Sequence, residues 1–93
     1  MSAIDYTKKL IPADDVLVRE LDGEAVILHL GDESYYGLNE SGTRMWQLLT
    51  TSPSIEASLK ILLEEFDVEE ETLKKDLRQL IESLIEKKMA TIT

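Results

Sequence analysis

The stretch Val16-Leu17-Val18-Arg19-Glu20-Leu21-Asp22-Gly23-Glu24-Ala25-Val26-Ile27-Leu28-His29-Leu30 decides the architecture. Two runs rich in β-branched and other apolar residues flank a single Asp-Gly pair. Asp-Gly accepts the positive φ angles of a type I′ turn, whose twist suits a two-residue hairpin. The turn sets the register, with Val18 opposite Ile27 and Leu17 opposite Leu28, and predicts strands over 16–21 and 24–30. A second turn signal, Gly31-Asp32-Glu33-Ser34, leads into Tyr35-Tyr36-Gly37-Leu38. That predicts a third strand over 34–38, paired to the second and open along its outer side.

Beyond this meander the composition changes. All four glycines lie in the first half of the chain, and Leu, Ile, Glu and Lys dominate the second. Three helices fit the remainder. Asn39 is placed to cap the first, over 40–50, with Met45, Trp46 and Leu49 on one face. Ser54 is placed to cap the second, over 55–65, where Ile55, Leu59, Leu62, Leu63 and Phe66 recur at helical spacing. Asp67-Val68-Glu69-Glu70 has the spacing of a capping box for the third, over 69–87. That helix shows Leu73, Leu77, Leu80, Ile81, Leu84 and Ile85 as its apolar positions and places Lys87 and Lys88 in its last turn. The tail Ala90-Thr91-Ile92-Thr93 offers a short extended piece. The fold class is therefore α+β: a three-stranded antiparallel sheet packed on a three-helix, winged helix-turn-helix-like body. Trp46 is the large side chain expected to plug their junction. The 93 residues make one domain, with its core over about 12–90.

Charge and composition narrow the function. Nineteen acids against ten Lys and Arg give a net charge of −9, which opposes phosphate backbones. Without cysteine there is no disulfide, thiolate metal site or cysteine nucleophile, and one histidine does not make a zinc site. No apolar run is long enough to span a bilayer, and Met1 to Tyr6 lack a signal peptide's layout. The expectation is a cytoplasmic monomer that is not an enzyme, holds no cofactor or metal, and engages neither nucleic acid nor membrane.

Individual residues agree. His29 lies in a strand pattern with no partner or nucleophile nearby in sequence. The acidic runs Asp14-Asp15, Glu64-Glu65 and Glu69-Glu70-Glu71 lack the alternation of a calcium loop and suit solvated faces and helix starts. Gly37 and Gly42 form no phosphate loop; Gly37 suits a kink or close approach in an edge strand, and Gly42 a close contact in the first helical turn. The third helix offers Lys74, Lys75, Arg78 and Gln79 to DNA. Yet Glu69, Glu70, Glu71, Asp76, Glu82 and Glu86 share it and oppose a groove, so a winged-helix DNA-binding regulator is the weaker alternative.

Two features point to a peptide or protein partner. The strand Ser34–Leu38 has an edge open to strand addition. Beside the third helix's core stripe runs a second one, Lys74, Arg78, Ile81 and Ile85, suited to an acidic and apolar peptide. Periodicity leaves open whether Ile81 and Ile85 belong to that wall or to the core.

Tyr35-Tyr36-Gly37-Leu38-Asn39-Glu40-Ser41-Gly42-Thr43-Arg44-Met45-Trp46, continued by Leu48-Leu49, resembles the PqqD-like domains, also called RiPP recognition elements. The upstream hairpin resembles their first two strands, and Ile55 to Met89 their later helices. These domains bind leader peptides in the biosynthesis of ribosomally made, post-translationally modified peptides. The resemblance implies a leader that adds as a strand beside the third strand and lies in a groove against the third helix. The binding residues it implies on the strand are Tyr35, Tyr36, Gly37 and Leu38; spacing adds Lys74, Arg78, Ile81 and Ile85 on the helix. It further implies a stand-alone adaptor that presents the precursor to a separate enzyme. That enzyme is a leader peptidase in lasso-peptide systems, or a radical S-adenosylmethionine enzyme in pyrroloquinoline quinone and related pathways.

Overall fold

The structure, a computed structural model, describes residues 4–93. Strand β1 (Leu10–Pro12) precedes the meander of β2 (Val16–Leu21), β3 (Glu24–His29) and β4 (Ser34–Leu38). Helices α1 (Glu40–Thr51), α2 (Ile55–Glu65) and α3 (Glu70–Glu86) follow, and β5 (Ala90–Ile92) ends the chain.

The hairpin forms in the register set by its turn. Val18 pairs with Ile27 and Leu17 with Leu28, while Asp22 and Gly23 adopt φ of 56° and 83°. Both central residues therefore take the left-handed conformation that a type I′ turn requires. β3 stops at His29, one residue short of the expected end. The Leu30 N–H still donates to the Asp15 carbonyl at 2.8 Å, continuing the β2–β3 register one step past the strand end, while pairing with β4 stops at His29 opposite Ser34. The sheet order is β2-β3-β4, which leaves β4 at one edge. Alternation along β3 turns Ala25 and Ile27 into the core and Glu24 and Val26 outward.

Caps fix the helix starts. The Asn39 side chain accepts the Gly42 N–H at 2.8 Å, and Ser54 Oγ accepts the Ala57 N–H at 3.1 Å. A Cβ on Gly42 would stand 3.2 Å from the Asn39 side-chain oxygen and 3.3 Å from Leu38, the close contact expected there. Two further donors at the start of α2 are met from afar, Ile55 N–H by the Lys8 carbonyl and Glu56 N–H by the Tyr6 carbonyl, both at 2.8 Å. The expected capping box before α3 does not form. Glu69, not Asp67, occupies the cap position, and it makes no side-chain cap bond.

Lys87 and Lys88 lie beyond the last turn of α3 rather than within it. Lys87 is the C-cap, and Lys88 turns to φ 60°. Lys88 N–H then donates to the Ile85 carbonyl at 3.0 Å and Met89 N–H to the Leu84 carbonyl at 2.9 Å. This is a Schellman termination with lysine at the position glycine usually fills. Met89 and Leu84, both fully buried, supply its apolar contact.

That reversal directs the tail into β5, which pairs antiparallel with β1: Leu10 faces Ile92 and Pro12 faces Ala90. The tail was expected to be extended; its partner β1 was not expected. The core gathers the inner face of the sheet (Ala25, Ile27, Leu38), the apolar sides of all three helices, and Leu10, Met89 and Ala90 from the ribbon. Trp46, 6% exposed, is buried in this core as expected. Ser58, fully buried on α2, donates its hydroxyl to the Leu48 carbonyl at 3.0 Å and ties α2 to α1.

Candidate functional site

The edge strand β4 and the start of α1 form one wall of an open groove, and α3 forms the other. The groove encloses about 1060 Å³. From β4 and α1 it is lined by Tyr36, Gly37, Leu38, Asn39, Ser41, Gly42 and Met45. From α3 come Asp76, Gln79, Leu80, Glu82, Ser83, Ile85 and Glu86. Leu38, Met45 and Leu80 are buried core residues whose surfaces make its floor. An unpaired strand edge above an apolar floor offers backbone bonds to an extended peptide and pockets to its alternate side chains.

The strand residues named from the sequence divide between two faces, as the pleat requires. Tyr36, half-buried, packs against the core and walls the groove, while Tyr35 is 70% exposed on the opposite face. Gly37 was expected to serve a kink or close approach. Instead, a Cβ there would find no atom within 4 Å, so the absent side chain leaves open space along the edge.

On α3 the structure redraws the expected wall. Of Lys74, Arg78, Ile81 and Ile85, only Ile85 lines the groove, 40% exposed. Ile81 is 0% exposed and belongs to the core, which closes the alternative left open by periodicity. Lys74 and Arg78 lie outside the groove, in a separate depression with Tyr6, Glu71, Thr72 and Lys75. There Lys74 Nζ stands 3.3 Å from the Glu70 carboxylate and 5.7 Å from the centre of the Tyr6 ring. A core stripe on a helix has two flanks, and spacing alone does not say which one looks at β4. The flank that does is Asp76, Gln79, Ser83 and Glu86, a row at steps of three and four residues. The 3.6-residue period displays this row in the sequence, but its polarity reads as solvated surface.

Among the described residues no competing constellation stands outside the groove. His29 has the partners that its sequence neighbours did not reveal: Nε2 lies 3.6 Å from Asp15, and Nδ1 3.4 Å from Asp32. Ser34 donates its hydroxyl to Asp32 at 2.6 Å and its N–H at 3.0 Å. These bonds, with a smaller attraction from His29, hold the Asp32 carboxyl below its usual range. The group ties the β3–β4 turn to the segment before β2. Among the described residues, no three His, Asp or Glu side chains gather as a metal site, and no helix is long and apolar enough to cross a membrane.

Comparison with known proteins agrees with this geometry. Residues 24–90 match the family described as coenzyme PQQ synthesis protein D (PqqD), from β3 through the first residue of β5. The chain is similar to the solved structure of TbiB1 in complex with the TbiA(beta) leader peptide. Their identity is 31% and the TM-score 0.80, over 86% of this chain and 93% of that one. It is also similar to a lasso peptide synthetase B1 complexed with the leader peptide. There the identity is 25% and the TM-score 0.80, over 89% of this chain and 98% of that one. No curated protein matches the sequence. With β3, β4, all three helices and every residue of the groove inside the matched stretch, the chain belongs to the PqqD family.

Proposed function

We propose that this protein is a non-catalytic adaptor for the leader peptide of a ribosomally made precursor. The leader adds as a strand along the free edge of Ser34–Leu38 and lies in the groove against α3. One observation carries the reading: β4, an edge strand of its sheet, runs along a groove with an apolar floor. The two similar structures, each solved with a leader peptide, support it. Backbone bonds along β4 supply affinity with little sequence preference, so Tyr36, Leu38, Met45, Leu80 and Ile85 select the side chains that enter.

Both similar structures come with leader peptides, and one is named a lasso peptide synthetase component. They favour a lasso-type pathway, with a separate leader peptidase, over one built on a radical S-adenosylmethionine enzyme. The acids along the groove side of α3 argue against its use as a DNA-recognition helix.

The test is amide hydrogen exchange with and without the leader of the precursor encoded beside this chain. Protection of the alternate β4 amides that point away from β3, together with amides of α3, is the expected result. Protection confined to other elements, with saturating leader bound, overturns strand addition at β4.

A further inference from the structure

The charges on α3 are sorted by face. Every charged residue that lines the groove is an acid: Asp76, Glu82 and Glu86. The helix's Lys74, Lys75 and Arg78 all lie in the depression outside it. Among the described residues, none of the three groove acids has an ion-pair partner, whereas elsewhere Glu65 is paired with Arg44 and Glu70 with Lys74. The row Asp76, Gln79, Ser83 and Glu86 presents acceptors at both ends and polar groups between, beside an apolar floor and an unpaired strand edge. A strand that enters this groove brings alternate side chains to that row. An acidic side chain there meets like charge close to a low-dielectric wall, and a cationic one completes a pair.

Distance fixes the spacing. Asp76 and Glu86 are ten residues apart, about 15 Å along a helix at ~1.5 Å per residue. An extended strand covers about 15 Å in four to five residues, and only even steps return to the same face.

We infer that the groove selects a peptide that carries Lys or Arg at two positions four residues apart, on the face turned to α3, with apolar side chains between them over the Leu38–Met45–Leu80 floor. The inference rests on the strand-addition reading and names the leader chemistry this chain accepts. It also reverses the acidic preference that the stripe of Lys74 and Arg78 suggested, because those two cations face away from the groove.

The experiment is selection of a randomised twelve-residue display library on the immobilised full chain at low salt. Each enriched peptide is then resynthesised with Lys or Glu at the two paired positions and titrated. The expected result is enrichment of Lys or Arg at a spacing of four. Each Lys peptide should bind about fivefold or more tighter than its Glu twin, with the difference collapsing at high salt. The same selection on Asp76→Lys/Glu86→Lys should enrich acidic peptides instead. Both positions are exposed, and Asp76→Asn/Glu86→Gln, which should erase the preference, serves if the reversed variant does not fold. Enriched peptides that protect β4 yet show no charge preference overturn this inference and leave strand addition standing. A library from which no peptide is enriched overturns both.

Discussion

Tyr35 and Tyr36, neighbours in sequence, stand on opposite faces of the edge strand: Tyr36 walls the groove, and Tyr35 lies in solvent on the outer face of the sheet. The pleat thus gives two identical side chains different roles, and their substitution should separate them. Tyr36→Ser should weaken leader binding at least tenfold and cost about 1–2 kcal/mol of stability, since a half-buried aromatic is lost. Tyr35→Ser should leave the thermal midpoint nearly unchanged. Calorimetric titration with the leader and urea unfolding of both variants make the comparison; equal binding losses would remove Tyr36 from the site.

Trp46 is buried in the core, and its removal should empty a large volume that the surroundings refill only in part. Trp46→Ala should cost about 3–5 kcal/mol, most of the stability of a domain this small. Loss of the cooperative urea transition is the expected outcome, and a midpoint near that of the wild type would contradict the packing.

Lys88 holds a left-handed conformation at φ 60° so that Met89 and Leu84 can close the end of α3. A side chain with a Cβ is strained there by about 1 kcal/mol relative to glycine. Lys88→Gly should therefore raise stability by about that amount and Lys88→Val should lower it. Thermal melts of the two variants should move in opposite directions.

Arg44 donates Nε to Glu65 at 2.8 Å and Nη2 to its second oxygen, a two-pronged pair between α1 and α2. Those hydrogen bonds, aided by the cation's charge, hold the Glu65 carboxyl below the usual glutamate range. A carboxyl with a lowered folded-state pKa stabilises the fold above its unfolded value and loses that contribution as pH falls through the folded value. Solvent exposure keeps the effect small. Wild type should show a slightly higher urea midpoint than Glu65→Gln at neutral pH, and the two should converge in acid. A difference that grows in acid would reverse the sign and rule out this pair as its source.

What the sequence determined by itself was local. Asp22-Gly23 specified a hairpin and its register because the turn's φ angles are available to few residue pairs. Asn39 and Ser54 specified helix starts because a short side chain can reach an N–H three residues on. Tertiary structure decided what depends on distant parts of the chain. Leu10–Pro12 carries no strand signal, and Ala90–Ile92 reads only as a short extended tail, until the Lys88 reversal aims one at the other. Asp67 had the spacing of a cap yet left the position to Glu69. The site was legible on one side only: the Tyr35–Leu38 edge could be read from alternation and the absence of a fourth strand. The flank of α3 that completes it could not, because a helix repeats its core stripe identically whichever way it is rolled. Only packing against α2 and β5 turned Asp76, Ser83 and Glu86 toward the groove and Lys74 and Arg78 away.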